Sequence, residues 1–511
     1  MLARLSAAAL VGIEAVPVSV EVDVGAGGLP GMTMVGLPDA TVRESRDRVR
    51  TAIRNAGFQF PGSRITVSLA PADLRKVGAA FDLPIALGVL AASGALPHHE
   101  RKRLVIVGGV SLDGSVPPMH GVLPIAAAAR RAGAGLVFPE ANIAEAGIVE
   151  GLPLFPVRTI LDAARVLVSP DRRPVDPPVA RADPPGPADD LADVRGHSVG
   201  RRALEIAAAG AHHLLFSGPP GAGKTMLARR LPGLLPPLSF DQALVVTTIH
   251  SIAGALQPGA GLVTGPPFRA PHHTCSDIAL VGGGSNPRPG ELSLAHHGVL
   301  FLDELPEFSR RTLETLRQPI EQGYVHIARA ARAVTFPSRA MLVAAMNPCP
   351  CGLAGTQGAK CRCGVVVAAR YQRRTSGPLL DRFDLRLDLP AVPWAAIAEN
   401  GDSEASASVR DRVAAARCRQ TSRQSRLNSE LEGGDLRRHC YPKDAQAAGL
   451  LSRAVSRFGL SARGVARTLR VARTIADLEG TSLVHGSHVA EALHFRMLGL
   501  ESPGQSNYET G

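Results

Sequence analysis

The stretch GPPGAGKT, residues 218–225, constrains the fold of this 511-residue chain more than any other. An apolar run, HLLFS, precedes it and a helix-like run, MLARRL, follows, so the order is strand, glycine loop, helix. Such a loop turns backbone amides inward and adds the positive end of a helix, an arrangement that cradles phosphate. Gly218, Pro219, Pro220, Gly221, Ala222, Gly223, Lys224 and Thr225, with Met226 after them, fit G-x-x-x-x-G-K-[ST]. The pattern predicts ATP as ligand, with Lys224 reaching the β- and γ-phosphates and Thr225 binding Mg²⁺. Lys224 is one of only five lysines beside 51 arginines. A compact ammonium fits between phosphate oxygens where a planar guanidinium would not.

A second half-site follows at VLFLDE, residues 299–304. Four apolar residues predict a buried strand that delivers Asp303 to the Mg²⁺ shell and Glu304 to orient the attacking water. AAMNPCPCG places Asn347 at the end of another apolar run, where an amide can sense the γ-phosphate or simply form the turn before Pro348. From 193 to 390, short apolar runs alternate with helical patterns such as MLARRLPGLL and SRRTLETLRQPIEQG. That alternation predicts an α/β domain, a parallel sheet covered by helices with ligands at the carboxyl ends of its strands. Hydrolysis, beyond binding, is the expected activity.

Length allows roughly three domains. SPDRRPVDPPVARADPPGPADD, residues 169–190, carries seven prolines and suits a semi-rigid linker. The expected boundaries are an N-terminal domain over 1–168, the linker over 169–192 and a nucleotide domain over 193–395. A helical domain over 396–500 and a disordered tail over 501–511 complete the chain. VRDRVAAARCRQ and GVARTLRVARTIADLEG supply the helical patterns of the fourth segment. A net charge of +11 permits a polyanion partner without requiring one. No apolar run approaches the ~20 residues of a membrane span. The start, MLARLSAAALVGI, is weakly signal-like, but valines from Val16 to Val24 then alternate with Pro17, Ser19, Glu21 and Asp23 as in a half-buried strand. A cytoplasmic chain is expected, in which seven cysteines do not build a disulfide framework.

With these motifs in order, the chain resembles AAA+ ATPases of the magnesium-chelatase-like group, specifically the YifB/ComM family. The strings that carry the likeness are DVRGHSVGRRALEIAAAGAHHLLFSGPPGAGKTMLARRL, FRAPHHTCSDIALVGGG, PRPGELSLAHHGVLFLDELPEF, AAMNPCPCG, SGPLLDRFDL and LSARGVARTLRVARTIADLEG, over about residues 1–500. The resemblance implies a P-loop AAA+ core with a C-terminal helical lid. It implies Asn347 as sensor 1, Arg382 as an arginine finger and Arg463 as sensor 2. A finger serves the neighbouring subunit's ATP, so a homo-oligomeric ring, a hexamer, is implied. It also implies a helix-2 insert near 255–290 and a presensor hairpin over 325–337, with Arg329 and Arg332 near a tip that faces the pore. Basic hairpins in a channel suit a DNA backbone read without sequence preference. The activity implied is that of ComM-type branch-migration helicases of recombination and natural transformation. A magnesium-chelatase motor subunit and a protein-remodelling ATPase remain the alternatives.

The first domain resembles the Lon-protease (ribosomal protein S5 domain 2-like) α/β fold. Where that family has a Ser–Lys dyad, this chain has Ala80 and Leu123, and neither carries a nucleophile or a titratable group. A non-proteolytic binding or assembly module is expected. CPCGLAGTQGAKCRC holds Cys349, Cys351, Cys361 and Cys363 as two C-x-C pairs, which either bind one structural Zn²⁺ or stay free thiols. His272–His273 and His296–His297 read as structural, since neighbouring side chains on a strand point apart.

Overall fold

The computed structural model describes residues 1–27, 29–96, 103–169, 173–176, 189–257, 259–329, 332–355, 361–392 and 404–497. Most of the Pro-rich segment, residues 393–403 and the tail from 498 lie outside the described residues.

The first domain is built on seven strands: β1 (Leu2–Val11), β2 (Glu14–Val24), β3 (Gly31–Val35), β4 (Arg64–Ala70), β5 (Leu104–Ile106), β6 (Gly135–Pro139) and β7 (Leu154–Val157). Their order across the sheet is β3-β4-β2-β1-β5-β6-β7. The signal-like start is therefore strand β1, paired antiparallel with β2 from Leu2 opposite Asp23 to Val11 opposite Glu14. In β2 the alternation works as the pleat requires: Val18, Val20 and Val22 are buried. The apolar helix Asp82–Ala92 covers them. It comes so close that a Cβ on Gly88 would stand 2.6 Å from Val22 Cγ2. Leu123 is fully buried in the first turn of the helix Val122–Arg131 and serves the core.

The nucleotide domain holds a five-stranded sheet of β8 (Leu214–Ser217), β9 (Phe268–Arg269), β12 (Val299–Leu302), β15 (Met341–Met346) and β16 (Leu385–Asp388). All neighbours are parallel in the order β16-β8-β15-β12-β9. β8, β12 and β15 are the three apolar runs of the sequence. β9 and β16 add edges that periodicity did not mark, one because it has two residues and the other because Arg386 and Asp388 interrupt it. Between β9 and β12 lies a small hairpin, β10 (Gly282–Gly283) with β11 (Arg288–Pro289), inside the region expected to hold the helix-2 insert. Between β12 and β15 stands the hairpin β13 (Tyr324–Arg329) and β14 (Arg332–Pro337), at the place expected for the presensor insert.

Leu191 and Val194, past the prolines, are buried in the core of the nucleotide domain, and the Arg230 guanidinium donates to the Asp190 carbonyl at 2.6 Å. The segment expected to form a lid comprises helices Ser406–Gln424, Gly433–Cys440, Ala445–Phe458, Ala462–Leu478 and Gly486–Met497. It is riveted to the sheet by Arg467, whose guanidinium meets the buried Asp384 carboxylate at 2.6 Å. Among the described residues, the first domain meets the second at Gly121 and Glu145 and again at the β1–β2 turn. The Gly121 amide donates to the Ser251 carbonyl at 3.2 Å, and the Ser251 hydroxyl donates to the buried Glu145 carboxylate. At the β1–β2 turn, a Cβ on Gly12 would stand 2.8 Å from Val334 Cγ1 on β14.

Removing one partner of a buried ion pair leaves the other uncompensated. Asp384→Ala is therefore expected to weaken the sheet–lid junction by about 3 kcal/mol, read as faster amide exchange in Ala462–Leu478. Burial opposes the charge on Asp384, yet Arg467, His212 and His213 hold its carboxyl well below the usual carboxylate range. The folded pKa is depressed, so this contribution is complete above about pH 4 and is lost as pH falls through the lower folded value.

Candidate functional site

Register fixes the site. β8 pairs Ser217 with Met346 on one side and with Asp388 on the other, so both neighbouring strands end level with the start of the glycine loop. The Gly218 amide donates to the Met346 carbonyl at 3.2 Å. A Cβ on Gly218 would stand 2.3 Å from the Leu389 carbonyl oxygen, so only glycine lets the loop leave the strand here. Gly223 takes φ +78° and caps the helix Lys224–Leu234, and the loop wraps that helix's positive end.

Lys224 is buried, and its ammonium donates to the carbonyls of Gly218 at 2.6 Å and Pro219 at 2.8 Å, and to Asn347 Oδ1 at 3.0 Å. Desolvation lowers its pKa. The Thr225 hydroxyl donates to Asp303 Oδ2 at 2.7 Å. These two oxygens are the hard donors that a Mg²⁺ ion prefers, and they already stand side by side. Glu304 follows in the left-handed region, φ +52°, and its amide donates to Asp303 Oδ1 at 2.9 Å. The structure thus brings together Lys224, Thr225, Asp303, Glu304 and Asn347, read from three separate stretches of sequence. A cavity of about 280 Å³ opens beside them, lined by Thr225, Asp303, Glu304 and Arg229 and also by His272 and His273.

Sequence reasoning missed His273. Its Nδ1 stands 3.2 Å from Glu304 Oε2, its ring lies 4.1 Å from that of His272, and Phe308 meets it edge-on. The signal was spatial: β9 pairs with β12, which brings PHHT alongside LDE. Neither histidine pair lies on a strand as the sequence reading assumed, and the rings of His296 and His297 stand only 4.0 Å apart. His296 Nδ1 accepts the Arg339 amide at 2.9 Å, and burial pushes its pKa down to about 3.

The two predicted arginines lie apart from this cluster. Arg382, expected to project as a finger, is folded inward with its side chain only 7% exposed. It donates to the carbonyls of Arg317 at 3.1 Å and Pro378 at 2.6 Å and pairs with Glu321 at 2.8 Å. Arg463 is exposed in the first turn of Ala462–Leu478, beyond the Ser461 cap. Arg329 and Arg332 are the last backbone pair of their hairpin; their side chains fall outside the described residues.

Beyond Asn347, the Sγ atoms of Cys349, Cys351, Cys361 and Cys363 all lie within 4.8 Å of one another. Three of the separations are 3.4, 3.7 and 3.6 Å. Four sulfurs bound tetrahedrally at about 2.3 Å would stand about 3.8 Å apart, whereas a disulfide needs about 2.0 Å. All four thiols are free, and the spacing fits one tetrahedral ion. Backbone N–H groups of Leu353 and Arg362 pull the Cys351 thiol down to about 6.

Three family models match the chain: "Magnesium chelatase, subunit ChlI" over residues 190–397, "Subunit ChlI of Mg-chelatase" over 20–142, and "Magnesium chelatase, subunit ChlI C-terminal" over 403–496. Among similar proteins, YifB of Salmonella typhimurium is 44% identical over 504 residues, covering 97% of each chain. Competence protein ComM of Haemophilus influenzae is 43% identical over 505 residues, 97% of this chain and 98% of its own. Protein Rv2897c of Mycobacterium tuberculosis is 46% identical over 505 residues, 98% and 99% respectively.

Gly218→Ala drives a methyl into the Leu389 carbonyl. The loop distortion should cost about 2 kcal/mol, roughly thirtyfold in nucleotide affinity, in a titration with fluorescent ATP analogue.

Proposed function

The chain belongs to the YifB/ComM family of magnesium-chelatase-like AAA+ ATPases, and from that premise we propose that it is an ATP-hydrolysing, ring-forming motor acting on DNA. The observation that carries hydrolysis is the convergence of Lys224, Thr225, Asp303, Glu304 and Asn347 at the carboxyl ends of the inner strands. In this reading Lys224 exchanges the carbonyls of Gly218 and Pro219 for β- and γ-phosphate oxygens, which accept its charge more strongly. Asn347 keeps contact with the ammonium and reports the γ-phosphate. Thr225 and Asp303 would hold Mg²⁺, giving up their mutual hydrogen bond. When bound there, Mg²⁺ supplies positive charge to the phosphate oxygens. Glu304 orients the attacking water, and His273 holds its carboxylate in place. A structural Zn²⁺ at the four thiols completes the cofactor set.

Arg382 serves a neighbouring subunit only after leaving Glu321, so assembly and finger release are coupled in this proposal. Arg463, exposed at the lid, reaches nucleotide through lid closure. The first domain acts as a Lon-like docking module without peptidase chemistry, because Ala80 and Leu123 supply neither nucleophile nor base. DNA as the polymer is supported by the net charge of +11, by the position of the β13–β14 hairpin with its two arginines, and by the competence relative. No described helix is long and apolar enough to cross a membrane. A chelatase-type motor is the second reading, favoured by the descriptions of the matching families. It predicts stimulation by a porphyrin-binding partner in place of DNA.

Glu304→Gln should retain ATP and slow hydrolysis by about a hundredfold or more. Wild-type turnover should rise with branched or single-stranded DNA; indifference to both would sink the DNA reading. Replacing Arg329 and Arg332 together by Ala should reduce the salt slope of DNA binding by about two, with ATP affinity unchanged.

A further inference from the structure

The four-thiol cluster is not an isolated knot. Cys349 lies two residues beyond Asn347, whose amide oxygen receives the Lys224 ammonium at 3.0 Å. Cys349 is fully buried, and the Ala354 amide donates to its sulfur at 3.4 Å. Within the turn, Gly352 takes φ +78°, and a Cβ there would stand 2.4 Å from Pro220 Cδ and 2.6 Å from Pro220 Cγ. The thiol loop therefore lies directly on the proline ring of the phosphate loop. On its other side Cys363 precedes the helix Gly364–Gln372, and Gln372 Nε2 donates to the Pro348 carbonyl at 3.0 Å.

We infer that Zn²⁺ held by Cys349, Cys351, Cys361 and Cys363 is a clasp that fixes Asn347 and Pro220, so that nucleotide affinity depends on the metal. This rests on reading the glycine loop as the ATP site and the thiols as a zinc cage. The ion closes the loop between β15 and the helix Gly364–Gln372. Four thiolates leave no open coordination position, so its contribution is to geometry and not to chemistry. Without it, the turn 348–352 loses its closure, Pro220 loses its backing and Asn347 loses its fixed distance to Lys224. Outer-shell groups of this kind set how well ordered a site is before ligand arrives.

The test uses the full chain, purified reduced, with zinc measured by elemental analysis and nucleotide affinity by titration with a fluorescent ATP analogue in the presence of Mg²⁺. Expected are about one zinc per chain, as four-cysteine sites hold, and its loss in Cys361→Ser/Cys363→Ser. Nucleotide affinity should then fall about tenfold, the equivalent of one ordered hydrogen bond to a charged group. Chelation of the wild type should reproduce the fall and re-addition of Zn²⁺ should reverse it, with far-UV circular dichroism unchanged. Asn347→Ala should weaken binding in the zinc-loaded chain and add little in the zinc-free one, since the two act through one contact. A chain that neither contains zinc nor takes it up overturns the zinc reading. A chain that binds zinc but keeps its nucleotide affinity after chelation overturns the clasp alone. A zinc-loaded chain with no affinity for nucleotide overturns the ATP-site reading beneath both.

Discussion

The parallel pairing of β8 with β15 on one side and β16 on the other is the constraint on which the rest hangs. Because Ser217, Met346 and Asp388 are level, the glycine loop leaves the sheet between two strand ends and has little choice of direction. Gly218 is pressed against the Leu389 carbonyl and its amide is taken by Met346. Lys224 can then turn back to reach Asn347 beside the same strand ends. Parallel pairing needs crossovers, and the crossovers carry everything else: the P-loop helix, the two hairpins and the thiol turn. The site is a property of the level strand ends more than of any one motif.

Much of this was legible because buried parallel strands appear in sequence as unbroken apolar runs. LLFS, VLFL and MLVAAM announced three strands, and the residues that follow each run announced the chemistry. β9 was not legible, since a two-residue strand has no periodicity, and with it went the position of His273. The contact of His273 with Glu304 arises from β9 pairing with β12, a long-range fact that local spacing does not contain. The start of the chain shows the opposite case. Its small apolar residues look like a leader when read alone, yet the valine alternation of β2 demands a partner strand, and β1 supplies it.

Arg382 shows where resemblance and geometry part. By resemblance the string LLDRFDL implies a role in trans, but nothing in it tells that the carbonyls of Arg317 and Pro378 and the carboxylate of Glu321 will gather around the guanidinium within one protomer. A buried arginine so satisfied is stable where it is, and moving it requires equally good acceptors elsewhere. In the proposed ring, the ATP phosphates of a neighbour would be such acceptors. The four cysteines were ambiguous for a different reason: C-x-C spacing fixes only which sulfurs are near in sequence. The closure of both pairs into one cage is set by the end of β15 and the start of the helix Gly364–Gln372.

The seam between the first two domains has a mechanical corollary. Glu145 is buried and accepts from the Leu123 amide and the Asn142 side chain as well as from Ser251 of the second domain. The turn at Gly12 abuts Val334 on the hairpin. The two domains are thus held at two elements of the second, the helix Phe240–Ala253 and the hairpin strand β14. Parting the two bodies would leave that carboxylate short of a donor, so the seam favours their staying joined.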